Sequence, residues 1–172
     1  MIKFIFLIGM PGVGKTYWGK KLAEHLRMRF VDLDDFIEDR EDDSILALFA
    51  QQGEEKFREM ERNALHAVLA DNTVPTVVAC GGGTPCFFDN MDKMKEAGCV
   101  IFLRAEMDTL LSRLFVDIEF RPLLQADSVH DKLYQLAGHR MPVYKRAHHI
   151  LEVETVSVNT FEEIILQCTS EP

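Results

Sequence analysis

An apolar run, Ile2 to Ile8, leads straight into Gly9-Met10-Pro11-Gly12-Val13-Gly14-Lys15-Thr16, and Lys15 to Leu26 then carries Trp18, Leu22, Ala23 and Leu26 at helical spacing. The octet fits GxxxxGK[ST] in its required setting, strand before and helix after. Glycines let the backbone curl so that successive N–H groups face one point. The helix N-terminus adds unpaired donors and the positive end of its dipole. Together these form a cradle for a polyphosphate, with Lys15 reaching the outer phosphates and the Thr16 hydroxyl available to a magnesium ion. The glycine spacing differs from GxGxxG, because Tyr17 stands where the last glycine of a dinucleotide fingerprint would be.

The rest of the chain alternates strand and helix patterns. Phe30–Leu33, Thr76–Cys80, Cys99–Leu103 and Ile150–Val153 read as further strands. Helices are expected at 34–40, 44–51, 54–69, 87–97, 107–115 and 129–140, with Gly53 breaking the second from the third and Pro142 ending the last. Thr160 is expected to cap a final helix reaching Cys168. Such alternation predicts an α/β fold of three layers, a parallel sheet with helices on both faces. One domain spanning 1–172 suits this length.

A formal net charge of -9 argues against nucleic acid as a partner. No stretch approaches the roughly 18 apolar residues of a membrane span, and Ile2–Ile8 reads as a strand rather than a secretory leader. Cys80, Cys86, Cys99 and Cys168 form no CxxC pair and no zinc spacing, and read as small, reduced core residues of the cytoplasm. His148 and His149 offer little metal signal. A monomer is the expectation.

Several polar residues fall where a parallel sheet opens its ligand crevice, at the carboxyl ends of strands. Asp32 and Asp34 lie two apart after the second strand, so an extended backbone would turn both to one side. One can hold Mg²⁺ through water, and the other can orient a substrate hydroxyl or accept its proton. A calcium loop is excluded, because Ile37 occupies the position that needs glycine. Arg58 and Glu61, i and i+3 on one helix, form a pair able to aim a guanidinium at a planar carboxylate. Gly81-Gly82-Gly83 ends a strand without side-chain packing, which suits a substrate or side chain approaching the backbone. Arg121-Pro122 sits in the irregular stretch 116–127, suited to a lid that carries one cation to the phosphates. Arg140 closes a helix before Pro142 and Tyr144.

These stations, in this order, resemble the shikimate kinase family: Gly9–Thr16, Asp32-Leu33-Asp34, Gly53-Glu54-Glu55 with Phe57-Arg58 and Glu61, Gly81-Gly82-Gly83, Arg121-Pro122-Leu123-Leu124, and Arg140-Met141-Pro142-Val143-Tyr144. The resemblance covers about residues 2–168. It implies a five-stranded parallel sheet of the nucleoside-monophosphate-kinase type, with an acid-binding helical region near 33–62 and a lid near 114–126. It also implies ATP-dependent phosphorylation of the shikimate 3-hydroxyl with Mg²⁺, in chorismate and aromatic amino-acid biosynthesis. Shikimate would be held by Asp34, Arg58, Gly82, Gly83 and Arg140. ATP would meet Gly12, Val13, Gly14, Lys15, Thr16, Tyr17, Arg113 and Arg121, with Arg113 stacked on adenine. Thr16 and, through water, Asp32 would serve the metal. Lys15, Asp34 and Arg121 would carry the chemistry. Two other readings fit the same residues: a kinase for another small hydroxy acid such as gluconate, and a nucleotide-binding regulatory protein without turnover.

Overall fold

The computed structural model describes residues 2–117 and 129–170. Five strands form one all-parallel sheet: β1 (Phe4–Ile8), β2 (Arg29–Asp32), β3 (Thr76–Ala79), β4 (Gly98–Arg104) and β5 (His149–Glu152), in the spatial order β2-β3-β1-β4-β5. The burial follows that order. β1 and β3 are buried at every residue, which explains why their sequences lack the two-residue alternation of a half-wet strand. The edge strands β2 and β5 are only partly buried. The α/β three-layer fold and its five parallel strands are as the sequence predicts.

Helix α1 (Lys15–Leu26) packs on β1, β2 and β3 and touches the last helix, α7 (Val158–Ser170). Between β2 and β3 run α2 (Leu33–Glu41) and α3 (Ile45–Ala70). Gly53 interrupts α3 with φ 78°, a left-handed value that favours glycine, so the two expected helices are one element with a kink. Next come α4 (Asn90–Ala97), α5 (Met107–Asp117) and α6 (Val129–Tyr144).

The structure corrects three local expectations. Helix α4 starts at Asn90 rather than Phe87, because Phe88 has φ 54° and a short 3₁₀ turn, Thr84–Cys86, precedes it. Helix α6 continues through Pro142. Proline removes one hydrogen bond, to the carbonyl four residues back, and this near the helix end is tolerated. The continuation leaves Arg140 and Tyr144 one turn apart on a common face, both buried. Helix α7 is capped by Ser157, not by Thr160 alone: the two hydroxyls each accept from the other's backbone N–H, at 3.3 and 3.2 Å.

One covalent feature was not anticipated. Cys99 on β4 and Cys168 on α7 are joined as a disulfide across 69 residues of sequence, with Cα atoms 6.0 Å apart. Cys80 and Cys86 are free thiols.

Candidate active site

Register brings the site to one rim. Ala79 of β3 pairs with Leu7 of β1 on one side and Asp32 of β2 on the other, so three strands end level. The phosphate loop leaves β1, the acidic pair leaves β2, and the glycine triplet leaves β3, all into the crevice beyond the carboxyl ends.

In the loop, Gly9, Gly12 and Gly14 take φ values of 147°, 80° and 100°. Side chains rarely adopt these angles, so the motif's glycines are a backbone requirement. Gly9 is also pressed against β4: a Cβ there would lie 2.4 Å from the Leu103 carbonyl oxygen. Val13 turns its side chain into the core and can offer a ligand only its backbone. Lys15 folds its Nζ back onto the carbonyls of Gly9 and Met10, at 3.1 Å each. Gly12, Gly14, Lys15, Thr16 and Tyr17 share a cavity of about 520 Å³ with Asp32, Asp34 and Arg113.

On the acidic side, the Thr16 hydroxyl donates to Asp32 Oδ2 at 2.6 Å. The other Asp32 oxygen accepts from the Asp34 N–H at 3.1 Å, making Asp32 the N-cap of α2. Asp32 and Asp34 are therefore not two strand residues on one face, as the spacing alone suggests. Helix α2 begins between them, and both reach the same cavity by that turn. A hydroxyl and a carboxylate side by side are oxygen ligands of the kind Mg²⁺ takes.

Behind this cavity lies a buried ionic cluster. Arg58 on α3 donates from Nη1 to Glu61 Oε2 at 2.6 Å and from Nη2 to Glu54 Oε1 at 2.9 Å. Glu61 also accepts from the Thr84 hydroxyl at 2.6 Å. Arg58 and Glu61 are 4% and 1% exposed, so the pair is fully inside rather than the surface pair its spacing also allowed. Burial disfavours the Arg58 charge, but Glu61 and Glu54 outweigh it and hold the guanidinium protonated. Its Cζ lies over the Phe87 ring, 4.5 Å from the ring centre. Arg58 Nε is buried with no hydrogen-bond partner among the described residues.

The glycine triplet explains itself against this cluster. A Cβ at Gly81 would lie 2.6 Å from Glu61 Oε1 and 2.8 Å from Asp34 Oδ1. At Gly82 it would meet Arg140 Nη1 at 2.7 Å, and at Gly83 Arg58 Nη1 at 2.2 Å. Each glycine thus clears room for a different predicted site residue, and Asp34, Arg58 and Arg140 converge on one stretch of backbone. Arg140 also lines a separate cavity of about 350 Å³, with Glu54 and Lys132.

Sequence reasoning missed Tyr144 as a site residue. Fully buried, it donates its hydroxyl to the carbonyl of Gly82 and reaches that of Gly9 at 3.2 Å. It therefore ties the triplet to the phosphate loop. Burial pushes its phenol well above the usual range, against the nearby Arg140, so it remains a neutral donor. Its one sequence signal was its place in the Arg140–Tyr144 station.

Arg113 on α5 lies beside the loop, its Nη1 near the carbonyls of Gly12 and Val13 at 3.4 and 3.3 Å. Tyr17 is half exposed, edge-on to Trp18 and capped by Lys21 Nζ 4.5 Å from its ring. Arg121 and most of the expected lid lie outside the described residues.

A sequence model described as shikimate kinase matches residues 11–170. A shikimate kinase of Bacteroides fragilis is 44% identical over 149 residues, covering 85% of this chain and 82% of its own. The crystal structure of shikimate kinase from Bacteroides thetaiotaomicron superposes with a TM-score of 0.86 at 37% identity, covering 95% of this chain and 98% of that one. Shikimate kinase from Acinetobacter baumannii, solved in complex with shikimate, gives 0.88 at 33% identity over 97% and 92%.

Proposed function

The chain belongs to the shikimate kinase family, and on that premise we propose that it moves the γ-phosphoryl group of ATP to the 3-hydroxyl of shikimate, a step of chorismate and aromatic amino-acid biosynthesis. The observation that carries this reading is the glycine triplet. Two arginines and an aspartate crowd its three positions, while Tyr144 fastens it to a phosphate loop.

On this reading the amides of Gly12 to Thr16 grip the polyphosphate, and Lys15 exchanges its loop carbonyls for phosphate oxygens. Thr16 and Asp32 would hold Mg²⁺, which when bound neutralises charge on the phosphates. Arg113 stacks on adenine, and Tyr17 borders the nucleotide. Arg58 and Arg140 take the acid's carboxylate. Arg58 has an unused buried donor at Nε for it, and Glu61 fixes the guanidinium beforehand. Gly82 and Gly83 admit the ring close to the backbone. Asp34 orients the attacking hydroxyl or takes its proton, and transfer is in line with no phosphoenzyme. Lys15 and Arg121 stabilise the moving phosphoryl. The reading is of a cytoplasmic monomer, one domain over 1–172 with an acid-binding region near 33–62 and a lid near 114–126.

The test measures ADP formation from MgATP with shikimate, with gluconate and with no acceptor. Release with shikimate alone is expected. Release with gluconate alone, or nucleotide binding without turnover on either acid, overturns the proposal.

A further inference from the structure

We propose that Cys99 and Cys168 form a reversible thiol–disulfide pair, a modification site for small disulfides at the start of β4, the end of the sheet away from the phosphate loop. It does not depend on the acceptor assigned above. Their Cα separation of 6.0 Å lies in the range that a disulfide spans without moving the backbone. A cavity of about 400 Å³ is lined by both cysteines, together with Gly98, Lys95 and His148, and has room for a small reagent. Cys99 is buried, while Cys168 is partly exposed near the end of α7. The His149 Nε2 lies 3.1 Å from the Cys168 sulfur. The other two cysteines are poor competitors: burial pushes the thiols of both Cys80 and Cys86 upward, and the thiolate is the nucleophile.

The chemistry is thiol–disulfide exchange. His149 accepts the Cys168 proton. The thiolate attacks one sulfur of a small disulfide, forming a mixed disulfide and releasing one thiolate. Cys99, once deprotonated, attacks the Cys168 sulfur and releases the second. Two protein thiols and one small disulfide become one protein disulfide and two small thiols. The reverse path, driven by a reduced small thiol, reopens the pair, so a reducing compartment keeps it as a dithiol until the small-disulfide level rises.

A zinc site is the rival for the same atoms, since Cys99, His148 and Cys168 offer ligand atoms within 4.8 Å of one another. His148 argues against it. Its Nδ1 accepts from the Val100 N–H at 3.0 Å, which in a neutral ring puts the proton on Nε2 and leaves neither nitrogen bare for a metal.

Closing the pair anchors the end of α7 to β4. The start of α7 packs on α1, where Phe161 meets Trp18 with ring centres 5.7 Å apart and Glu162 accepts from His25 at 2.7 Å. Trp18 is the chain's single tryptophan, so its emission reports how firmly α7 is seated.

The experiment equilibrates the full chain in buffers running from oxidised to reduced glutathione. Each sample is then denatured and alkylated with a maleimide for mass spectrometry, with a parallel thermal melt followed by Trp18 emission. Two adducts, on Cys80 and Cys86, are expected at the oxidised end and four at the reduced end, joined by one transition. The closed loop is long, so the melting temperature should fall by roughly 4–16 °C on reduction. In Cys168→Ser the melting temperature should no longer follow the buffer. Four adducts in every buffer, a pair that includes Cys80 or Cys86, or one equivalent of co-purified zinc protecting both thiols would each overturn the proposal.

Discussion

Replacing Glu61 by glutamine tests whether the buried guanidinium depends on a charge or only on a shape. The amide is nearly isosteric. Its oxygen can still accept from Arg58, and its NH₂ can face the Thr84 hydroxyl, which rotates to accept. What disappears is the negative charge 2.6 Å from an arginine whose side chain is 5% exposed. Removing one partner of a buried pair costs about 3–5 kcal/mol. Glu54 remains at 2.9 Å but is half exposed and partly screened, so it offsets only a fraction. A loss of about 2–4 kcal/mol is expected, or roughly 4–16 °C in melting temperature for a chain of this size. Urea and thermal melts give this number. Adding Arg58→Met to Glu61→Gln should recover much of it, because no buried charge is then left alone. The functional readout should split as well: Glu61→Gln raises the KM for the acid while the KM for ATP stays within about twofold. A melting temperature within about 1 °C of the parent, or a double variant whose losses simply add, would refute the electrostatic account.

Three further outcomes follow from the same geometry. Gly82→Ala puts a methyl 2.7 Å from Arg140 Nη1, so it should raise the KM for the acid about 10- to 100-fold with little change in the melting temperature. Acid-substrate kinetics check it, and an unchanged KM would separate Arg140 from recognition. Tyr144→Phe strips a donor that sits between the carbonyls of Gly9 and Gly82 and should cost about 1–3 kcal/mol in a urea melt. Cys86 gives a pH signature. Burial pushes its thiol from 9.0 up to about 11, against the pull of Arg140 and Arg58. The unfolded chain therefore loses that proton first, and stability present below about pH 9 declines as pH rises toward 11. Cys80 and Tyr144 push the same way, so the check is a difference: Cys86→Ala should lose less melting temperature than the parent between pH 8 and 11.

The parts of the site that could be read from the sequence are those where one residue type answers one backbone need. Gly9, Gly12 and Gly14 stand at left-handed angles, and Gly53 breaks α3 at another, so spacing alone located the loop and the kink. The triplet Gly81–Gly83 was legible for a related reason, because three absent side chains need something to fill their place. Contacts between distant residues were not legible. Nothing local to Tyr144 says that its hydroxyl ends between Gly9 and Gly82, 135 and 62 residues away. Nothing near Cys99 names Cys168. Pro142 misled because a proline reads as a stop, whereas here it removes a single bond near the end of α6. Asp34 reaches the cavity by a helix start and not by the strand alternation that its spacing suggested.

The triplet also explains why stability and recognition are hard to separate in this fold. Side chains at 81, 82 and 83 would strike Glu61, Arg140 and Arg58 in turn, and two of those three, Arg58 and Glu61, form a buried pair. If Arg58 takes the acid's carboxylate as proposed, the energy that holds the guanidinium still in the folded chain is the same energy that spares the incoming carboxylate the work of ordering it. Because Glu61 also accepts from Thr84, the first residue after the triplet, the backbone and the arginine are fixed by one carboxylate. A change that loosened one would loosen the other. On the proposed reading, mutations that weaken acid binding through Glu61 should therefore also lower the melting temperature, whereas those acting through Arg140, which is not a member of the buried Arg58–Glu61 pair, should do so less.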